Sequence, residues 1–183
     1  MVELAMRRTP APKADAWLKV LAPATRFSFN GDAAARAAVT PIWGTAFSEE
    51  ACRAIVDSTR ATLWLGPDED LLLDTTANSP DAAAALFDHI ENTLSSVPHA
   101  LVDISHRQFS LEVSGPQASA IMSGACPLDL DLSEFPVGMC TRTVLAKADI
   151  VLWRKREDVF HLEVWRSFAG YVSGILTEIA AGL

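Results

Sequence analysis

One segment near the middle of the chain, residues 102–116, most constrains the fold. It reads VDISHRQFSLEVSGP and places a polar turn, Ser105 to Gln108, between two stretches with apolar residues. Alternation of apolar and polar residues predicts a strand, and Gly115-Pro116 can open a helix. We interpret this stretch, called the joint segment below, as the junction between two halves of the chain.

The elements before the joint segment can be read from local patterns. Phe27 and Phe29 alternate with polar residues as in a half-buried strand. Asp32 can cap a short helix that we expect Pro41 to stop. Later elements are a hairpin, a helix opened by Ser79-Pro80 and a strand, and we place them at residues 61–65 with 71–73, residues 80–94 and residues 100–104.

The elements after the joint segment follow in a similar order. Phe109, Leu111 and Val113 alternate as a strand, and a helix follows Gly115. A last helix, which Ser167 can cap, has apolar residues spaced for packing on a sheet. Between these helices we predict three strands, at residues 141–145, 150–153 and 159–165.

The two halves therefore predict an internal repeat of strand, helix, hairpin and helix. Phe27 corresponds to Phe109, and Leu63-Trp64 to Leu152-Trp153, although the two offsets differ. We predict an α+β fold: an irregular arm over residues 1–25, pinned at most by Trp17 and Leu18, then one domain over residues 26–183. Its halves would be residues 26–104 and 105–183, sharing one core.

Composition and charge narrow the classes of function. Of 183 residues, 50% are hydrophobic and 21% charged, as in ordinary folded domains. No apolar run is long enough to span a membrane, and the N-terminus lacks a secretory pattern, so we expect a cytoplasmic protein. The net charge is −8, and residues 49–91 hold ten acidic residues against two basic ones. This balance disfavours nucleic-acid binding and predicts either a solvated face or a surface for a basic partner.

No combination of reactive residues forms a convincing active site. Cys52, Cys126 and Cys140 form no CxxC pair, which favours small buried residues over a disulfide or zinc site. His161 and Glu163 share one strand face but lack a third metal ligand. Asp103, Ser105 and His106 have the residue types of a catalytic triad, but we favour a turn histidine bonded to the backbone. Asp129 and Asp131 are not favoured as a magnesium site.

A set of short motifs, in order, resembles the gamma subunit of heterotetrameric sarcosine oxidase. None is specific alone, but their spacing covers most of the chain from Arg26 to Ile179. They are Leu63-Trp64-Leu65-Gly66-Pro67-Asp68-Glu69, Val102-Asp103-Ile104-Ser105-His106-Arg107, Ser114-Gly115-Pro116, Cys126-Pro127-Leu128-Asp129-Leu130, Cys140-Thr141-Arg142-Thr143, Leu152-Trp153-Arg154 and Arg166-Ser167-Phe168. One departure is Asp70, where the family usually carries tryptophan.

The resemblance implies a noncatalytic subunit of a flavin-dependent complex. Such complexes oxidatively demethylate sarcosine to glycine, with peroxide and methylene-tetrahydrofolate as products. FAD, FMN, NAD and tetrahydrofolate are implied in the alpha and beta subunits, and zinc in the delta subunit. The resemblance also implies a fold like the folate-binding aminomethyltransferase.

Asp149 is the one residue of this chain that the resemblance leaves as a folate candidate. The matching stretch of the aminomethyltransferase family carries two glycines and two acidic residues, whereas here it reads Leu145-Ala146-Lys147-Ala148-Asp149. Without glycine a Cβ atom keeps the backbone away from a flat ring. The alternative function, a free-standing folate-binding one-carbon transfer protein, depends on this position.

Charged residues supply the candidates for a partner interface. The resemblance requires contact with alpha, beta or delta subunits, and two charged clusters suit such a contact. Each is also consistent with plain solvated surface. The candidates are Asp68, Glu69, Asp70, Arg154, Lys155 and Arg156.

Overall fold

Two five-stranded antiparallel sheets and four α-helices make up the fold, an α+β arrangement. The structure is a computed structural model and describes residues 17–76 and 79–183. The strands are β1 Leu18–Val20, β2 Thr25–Gly31, β3 Ala54–Asp57, β4 Arg60–Gly66, β5 Glu69–Asp74, β6 His99–Asp103, β7 Gln108–Ser114, β8 Cys140–Leu145, β9 Ala148–Arg156 and β10 Val159–Trp165. The helices are α1 Ala33–Trp43, α2 Pro80–Thr93, α3 Ala118–Ser123 and α4 Ala169–Ala181, the last preceded by a 3-10 turn at Arg166–Phe168.

The strand order is related in the two sheets. One sheet runs β3-β4-β5-β2-β6, and the other runs β8-β9-β10-β7-β1 when read from its β8 edge. In each sheet a consecutive three-strand meander lies beside the strand that precedes it in the chain. The fifth strand has a different place along the chain in the two sheets. In the first sheet it is β6, which follows the meander, whereas in the second sheet it is β1, which precedes all the other strands.

Helices α1 and α2 cover the outer face of the first sheet. Phe27 and Phe29 of β2 are fully buried under Val39 and Trp43 of α1 and Ile90 of α2. Asp32 caps α1 by accepting hydrogen bonds from the amides of the second and third residues after it, both at 3.0 Å. The alternation in β2 thus produces one apolar face, and the helices bury it.

Helices α3 and α4 cover the outer face of the second sheet. Val172 and Leu176 of α4 are fully buried against Leu111, Leu152 and Leu162 of the sheet. The predicted apolar stripe of the last helix therefore does pack on the sheet. Its first members, Phe168 and Tyr171, stay exposed.

The inner faces of the two sheets meet across a mixed layer. Leu63 and Leu71 of the first sheet pack with Cys140, Val151 and Trp153 of the second. The Cys140 thiol lies 3.5 Å from the Trp64 carbonyl oxygen, which joins the sheets near β4 and β8. Charged residues occupy the rest of this layer and are described below.

The joint segment connects the two sheets. Strand β6 pairs with β2 in the first sheet, whereas β7 pairs with β1 and β10 in the second. The turn between them is closed by the Arg107 amide, which donates to the Ile104 carbonyl oxygen at 3.0 Å. The two strands predicted for this segment are confirmed, and they do not pair with each other.

The repeat predicted from the sequence matches Leu63-Trp64 with Leu152-Trp153, but in the structure the matched residues point to opposite faces of their sheets. Leu63 faces the inner layer, while Trp64 lines a hollow with residues of α1. In the second sheet Trp153 faces the inner layer and Leu152 faces the helices. Since strand side chains alternate, a one-residue slip reverses every face. Leu63 thus corresponds in orientation to Trp153.

Helix α1 passes through Pro41 instead of stopping there. A proline costs its own amide hydrogen bond, but in the last turn little helix remains to be disrupted. The helix ends at Gly44, whose φ of 82° is left-handed and whose amide donates to the Thr40 carbonyl oxygen. The expected stop at Pro41 was therefore a few residues early.

Two further local expectations differ from the structure. Ser167 does not cap α4: it lies inside the 3-10 turn, and the position before Ala169 is Phe168, which makes no side-chain cap. The predicted irregular arm, residues 1–25, contains β1, because Leu18–Val20 pairs with Leu111–Val113. Residues 1–16 of that arm lie outside the described residues. The Ser79 cap on α2 is confirmed.

Candidate functional site

A network of buried charges occupies the layer between the sheets. Arg26 of β2 donates from Nε to Glu163 Oε2 of β10 at 2.6 Å, and its side chain also contacts the Ser110 hydroxyl and the Ala24 carbonyl oxygen. Ser110 and His161 each donate to Glu163 Oε1 at 2.7 Å. A carboxylate only accepts hydrogen bonds, so the His161 Nε2 atom carries a proton. We call Arg26, Ser110, His161 and Glu163 the buried charge network.

Strand geometry explains why these side chains meet. Ser110 lies directly opposite Glu163 in the pairing of β7 with β10, and Arg26 approaches from the other sheet. Arg26 is 1% exposed and Glu163 is 1% exposed, so water does not screen the pair. Burial alone raises the pKa of Glu163, but the His161 hydrogen bond and the Arg26 guanidinium together lower it below its usual value.

Beside this network an open cleft lies between the sheets. It measures about 250 Å³ and is bordered by Gln108, Arg142, Asp149, Glu163 and Trp165 among others. This is below the roughly 300–1,000 Å³ typical of small-molecule sites. Gln108 is 8% exposed, and its Oε1 atom has no hydrogen-bond partner within the described residues.

The folate candidate Asp149 is an exposed residue at the rim of this cleft. It follows the tight turn between β8 and β9, where Ala146 adopts a left-handed φ of 53°. Neither Ala146 nor Ala148 lines the cleft, and Ala148 is fully buried in the core under α3 and α4. No glycine stands between Leu145 and Asp149 to let a flat ring approach the backbone of this turn.

The acidic interface candidates lie in three different environments. Asp68 is exposed in the turn before β5. Glu69 pairs with Arg142 of the other sheet, with both contacts at 2.5 Å. Asp70 is 1% exposed and faces α1, where Arg36 Nε donates to its Oδ2 at 2.9 Å. Burial raises the pKa of Asp70 to about 6, because it outweighs the effect of the Arg36 guanidinium.

The basic interface candidates are similarly divided between interior and surface. Arg154 is 2% exposed and donates to the carbonyl oxygens of Leu130 and Phe135, at 3.0 and 2.7 Å. It fixes the connection before β8. Lys155 and Arg156 are exposed at the end of β9. Asp70 therefore forms an interior ion pair with Arg36, and Arg154 forms interior hydrogen bonds to backbone carbonyl oxygens.

The remaining reactive residues are not arranged as catalytic groups. His106 is exposed and makes no hydrogen bond to any described residue, so the predicted backbone bond is absent there. Ser105 instead accepts from the Arg26 amide at 2.9 Å. Asp129 and Asp131 accept from nearby backbone amides in a loop. Among residues 17–76 and 79–183, no three His, Cys, Asp or Glu side chains are placed to hold a metal ion.

Sequence reasoning identified only part of the buried charge network. The shared face of His161 and Glu163 was recognisable from strand spacing, but Arg26 and Ser110 were not. The signal for Arg26 is that it directly precedes Phe27 in β2: adjacent strand residues point to opposite faces, so Arg26 faces away from the helices and toward the inner layer. No local pattern indicates that a second sheet covers that face.

Comparison with known proteins gives a consistent result. The model of the sarcosine oxidase gamma subunit family matches residues 30–182. The sarcosine oxidase subunit gamma of Corynebacterium sp. U-96 is 34% identical over 59% of this chain and 50% of its own length, and that of an Arthrobacter species is 33% identical over 56% and 47%. The chain spans about half the length of the curated relatives it matches.

Solved structures resemble this fold over most of its length. A heterotetrameric sarcosine oxidase from Corynebacterium sp. U-96 contains a chain with a TM-score of 0.81 and 27% identity, covering 90% of this chain and 83% of that one. Aminomethyltransferase T of Bartonella henselae has a TM-score of 0.64 at 15% identity, covering 87% of this chain and 44% of that one, which shows a shared fold.

The helices of the described residues are too short or too polar to cross a membrane. The family match extends from the end of β2 to the end of α4 and includes eight of the ten described strands in full, together with the joint segment. This chain belongs to the sarcosine oxidase gamma subunit family.

Proposed function

We propose that this chain is the noncatalytic gamma subunit of a flavin-dependent heterotetrameric sarcosine oxidase. The observation that carries the proposal is the family match over residues 30–182. The similarity to a chain of a heterotetrameric sarcosine oxidase supports it. The assembled complex would demethylate sarcosine to glycine, and this chain would complete and stabilise the assembly. A cytoplasmic location stays a prediction.

The proposal assigns the cofactors to the partners. FAD, FMN, NAD and tetrahydrofolate would be bound by the alpha and beta subunits, and the delta subunit would complete the heterotetramer. The isolated chain should then be colourless, since flavin absorbs visible light and would travel with the large subunits. The packing of Glu163, with both carboxylate oxygens already bonded inside the chain, supports a structural role for this layer.

Affinity purification from the native cell tests the assembly. A tag on this chain should recover the alpha, beta and delta subunits in one complex with flavin absorbance, as identified by mass spectrometry. Purification of this chain without any large flavoprotein would overturn the proposal. A tagged, unrelated acidic protein of similar size serves as the control for nonspecific capture.

The rival function is a free-standing folate-binding one-carbon transfer protein. Its support is the fold shared with aminomethyltransferase T, with Asp149 at the cleft rim as the candidate contact. Equilibrium dialysis of the isolated chain against tetrahydrofolate separates the two. We expect no binding at micromolar concentrations, because the cleft is small for such a ligand. Binding that disappears in Asp149→Asn would favour the rival.

We further infer that the domain, residues 26–183, consists of two related halves. The matching strand orders of the two sheets support this, as does the placement of two helices on each outer face. The joint segment supports a division near residue 105, because β6 completes the first sheet and β7 belongs to the second. Each half carries a three-strand meander where a hairpin was expected.

A further inference from the structure

The exposed aromatic side chains of the described residues lie within one short stretch of the chain. Among the described residues, the large aromatic side chains that are more than about a third exposed are Trp165, Phe168 and Tyr171, at 47%, 38% and 40%. They lie at the end of β10, in the 3-10 turn and in the first turn of α4. The Phe168 and Tyr171 rings meet edge to face, with centroids 6.3 Å apart. We call these three residues the aromatic patch.

Two arginines border the aromatic patch. The Arg107 guanidinium lies over the Trp165 ring, 4.9 Å from its centroid, and the Arg166 amide donates to the Arg107 carbonyl oxygen at 2.8 Å. A shallow hollow runs between Arg107, Trp165, Arg166 and Ser167. The stacked arginine holds the indole in one orientation, which lowers the entropy cost of binding.

The arginines keep their charges available. Within the described residues, neither Arg107 nor Arg166 forms an ion pair. The carboxylates of Asp103 and Asp149 line adjoining hollows but do not pair with them. Both cations lie within the same short stretch of surface as Trp165. This stretch would attract an acidic surface.

The composition of this surface is that of a binding hot spot. Trp, Tyr, Phe and Arg are enriched in protein–protein interfaces, and truncated Trp, Tyr and Arg residues account for most large losses of affinity. Clustered aromatic exposure is uncommon on a surface that stays in water. The open cleft beside Trp165 adds a concavity that could receive a side chain from the partner.

Other occupants suit the surface less well. Nucleic acid would be repelled by the acidic chain. In a symmetric dimer the same patch occurs on both subunits, so a patch-to-patch contact would bring arginines from the two copies together. An acidic protein surface with an apolar centre satisfies both the aromatic and the cationic residues.

We propose that the aromatic patch, with Arg107 and Arg166, docks onto an acidic, apolar-centred surface of another subunit of the sarcosine oxidase complex. The inference rests on the proposed function, since it requires that complex. The proposed interface combines Arg107, from the turn between β6 and β7, with Arg166, from the 3-10 turn after β10. This location differs from the charged clusters around Asp68 and Arg156.

Co-expression with the alpha, beta and delta subunits tests the inference. The tagged chain is compared with Trp165→Ala and with the double variant Arg107→Glu and Arg166→Glu, and the recovered partner subunits are quantified by mass spectrometry. We expect each to lower recovery at least about tenfold, in line with loss of a hot-spot residue. Val56→Ala and Lys147→Glu, at exposed positions outside the patch, are matched controls and should keep wild-type recovery.

The outcomes separate the inference from the function it rests on. Failure of the wild-type chain to recover any partner overturns the proposed function. Wild-type recovery with undiminished recovery by both patch variants overturns the docking surface alone. A further variant, Arg156→Glu, should keep wild-type recovery, and a loss confined to it would place the interface at the end of β9 and overturn the docking surface. Equal unfolding midpoints for all variants show that the changes act on binding.

Size-exclusion chromatography with light scattering tests whether the aromatic patch binds a second copy of this chain. The isolated chain should elute as one species whose mass is unaffected by Trp165→Ala. A wild-type dimer that this substitution converts to monomer would show that the patch binds another copy of the chain, and would overturn the inference.

Discussion

At the scale of single residues, burial decides what each charged side chain does. Glu163 and Asp70 are equally inaccessible, yet their pKa values move in opposite directions. Glu163 accepts hydrogen bonds from three neighbours across the two sheets. Asp70 has one arginine partner, and its Oδ1 atom has none within the described residues. The number of donors, more than the degree of burial, separates the two carboxyls.

Replacing Glu163 with glutamine should strongly destabilise the fold. The side-chain shape is kept, but Arg26 is left as an unpaired buried cation, which costs about 3–5 kcal/mol. Chemical denaturation of the isolated chain measures the free energy of unfolding. The matched control is Glu69→Gln, which removes the partly exposed pair with Arg142 and should cost at most about 1 kcal/mol. Equal losses in the two variants would contradict this account.

Asp70 should make stability depend on pH in a specific direction. Its pKa rises from 3.8 to about 6 on folding, so the folded state holds this proton more tightly. The resulting stabilisation is complete below the unfolded value and is lost as the pH rises through about 6. Relative to Asp70→Asn, the wild type should gain about 2 kcal/mol of unfolding free energy on going from pH 7.5 to pH 4.5. Parallel curves for the two proteins in urea denaturation would contradict this prediction.

At the scale of elements, amphipathic pattern determined which face of each helix and strand is buried. The i, i+4 spacing of Val172 and Leu176 places both residues of α4 on the second sheet. The pattern continues to Phe168 and Tyr171, but the sheet does not extend beneath them. An apolar stripe therefore predicts the face of a helix, and the length of the neighbouring sheet decides how much of that face is covered.

Two alanine substitutions on α4 distinguish the covered part of the stripe from the exposed part. Leu176→Ala should lower the free energy of unfolding by about 2–5 kcal/mol, because the side chain is fully buried and leaves a cavity. Tyr171→Ala should change it by no more than about 0.5 kcal/mol, as expected for a surface position. Denaturation of both variants beside wild type measures this, and a large loss in Tyr171→Ala would mean that its ring is covered within the chain.

At the scale of the whole molecule, the two sheets act as one structure because their inner faces share apolar and charged contacts. Cys140 lies in this layer, fully buried, and burial raises the pKa of its thiol to about 12. Cys126 is buried in the core between the second sheet and its helices, and Cys52 is partly accessible. The three thiols therefore report on different parts of the molecule.

Thiol labelling should follow this difference in accessibility. In the native chain at pH 7.5, an alkylating reagent should modify Cys52 first, while Cys140 should react only as fast as the molecule unfolds globally. Peptide mass spectrometry after timed quenching measures each site. Denatured protein, in which all three thiols react, is the control. Labelling of Cys140 as fast as Cys52 would show that the sheets separate locally.

Much of the secondary structure could be predicted because its signals are local. The alternation in β2 and β7, the Asp32 and Ser79 caps and the stripe of α4 each depend on residues within one or two turns. The errors also arose locally: Pro41 and Ser167 carry boundary signals that neighbouring packing overrode. The family resemblance, built from dispersed motifs, agrees with the family match over residues 30–182.

The sequence by itself determined the described strands other than β1 and β3, the presence of the helices and the family of this protein, since these depend on short-range pattern and on motif order. Only the tertiary structure decided which sheet each edge strand joins, that Asp70 and Arg154 are interior, and that Arg26 meets Glu163 across 137 positions of sequence. The physical reason is that burial and ion pairing depend on what packs over a residue. For Arg26 and Glu163 the covering layer comes from a distant part of the chain.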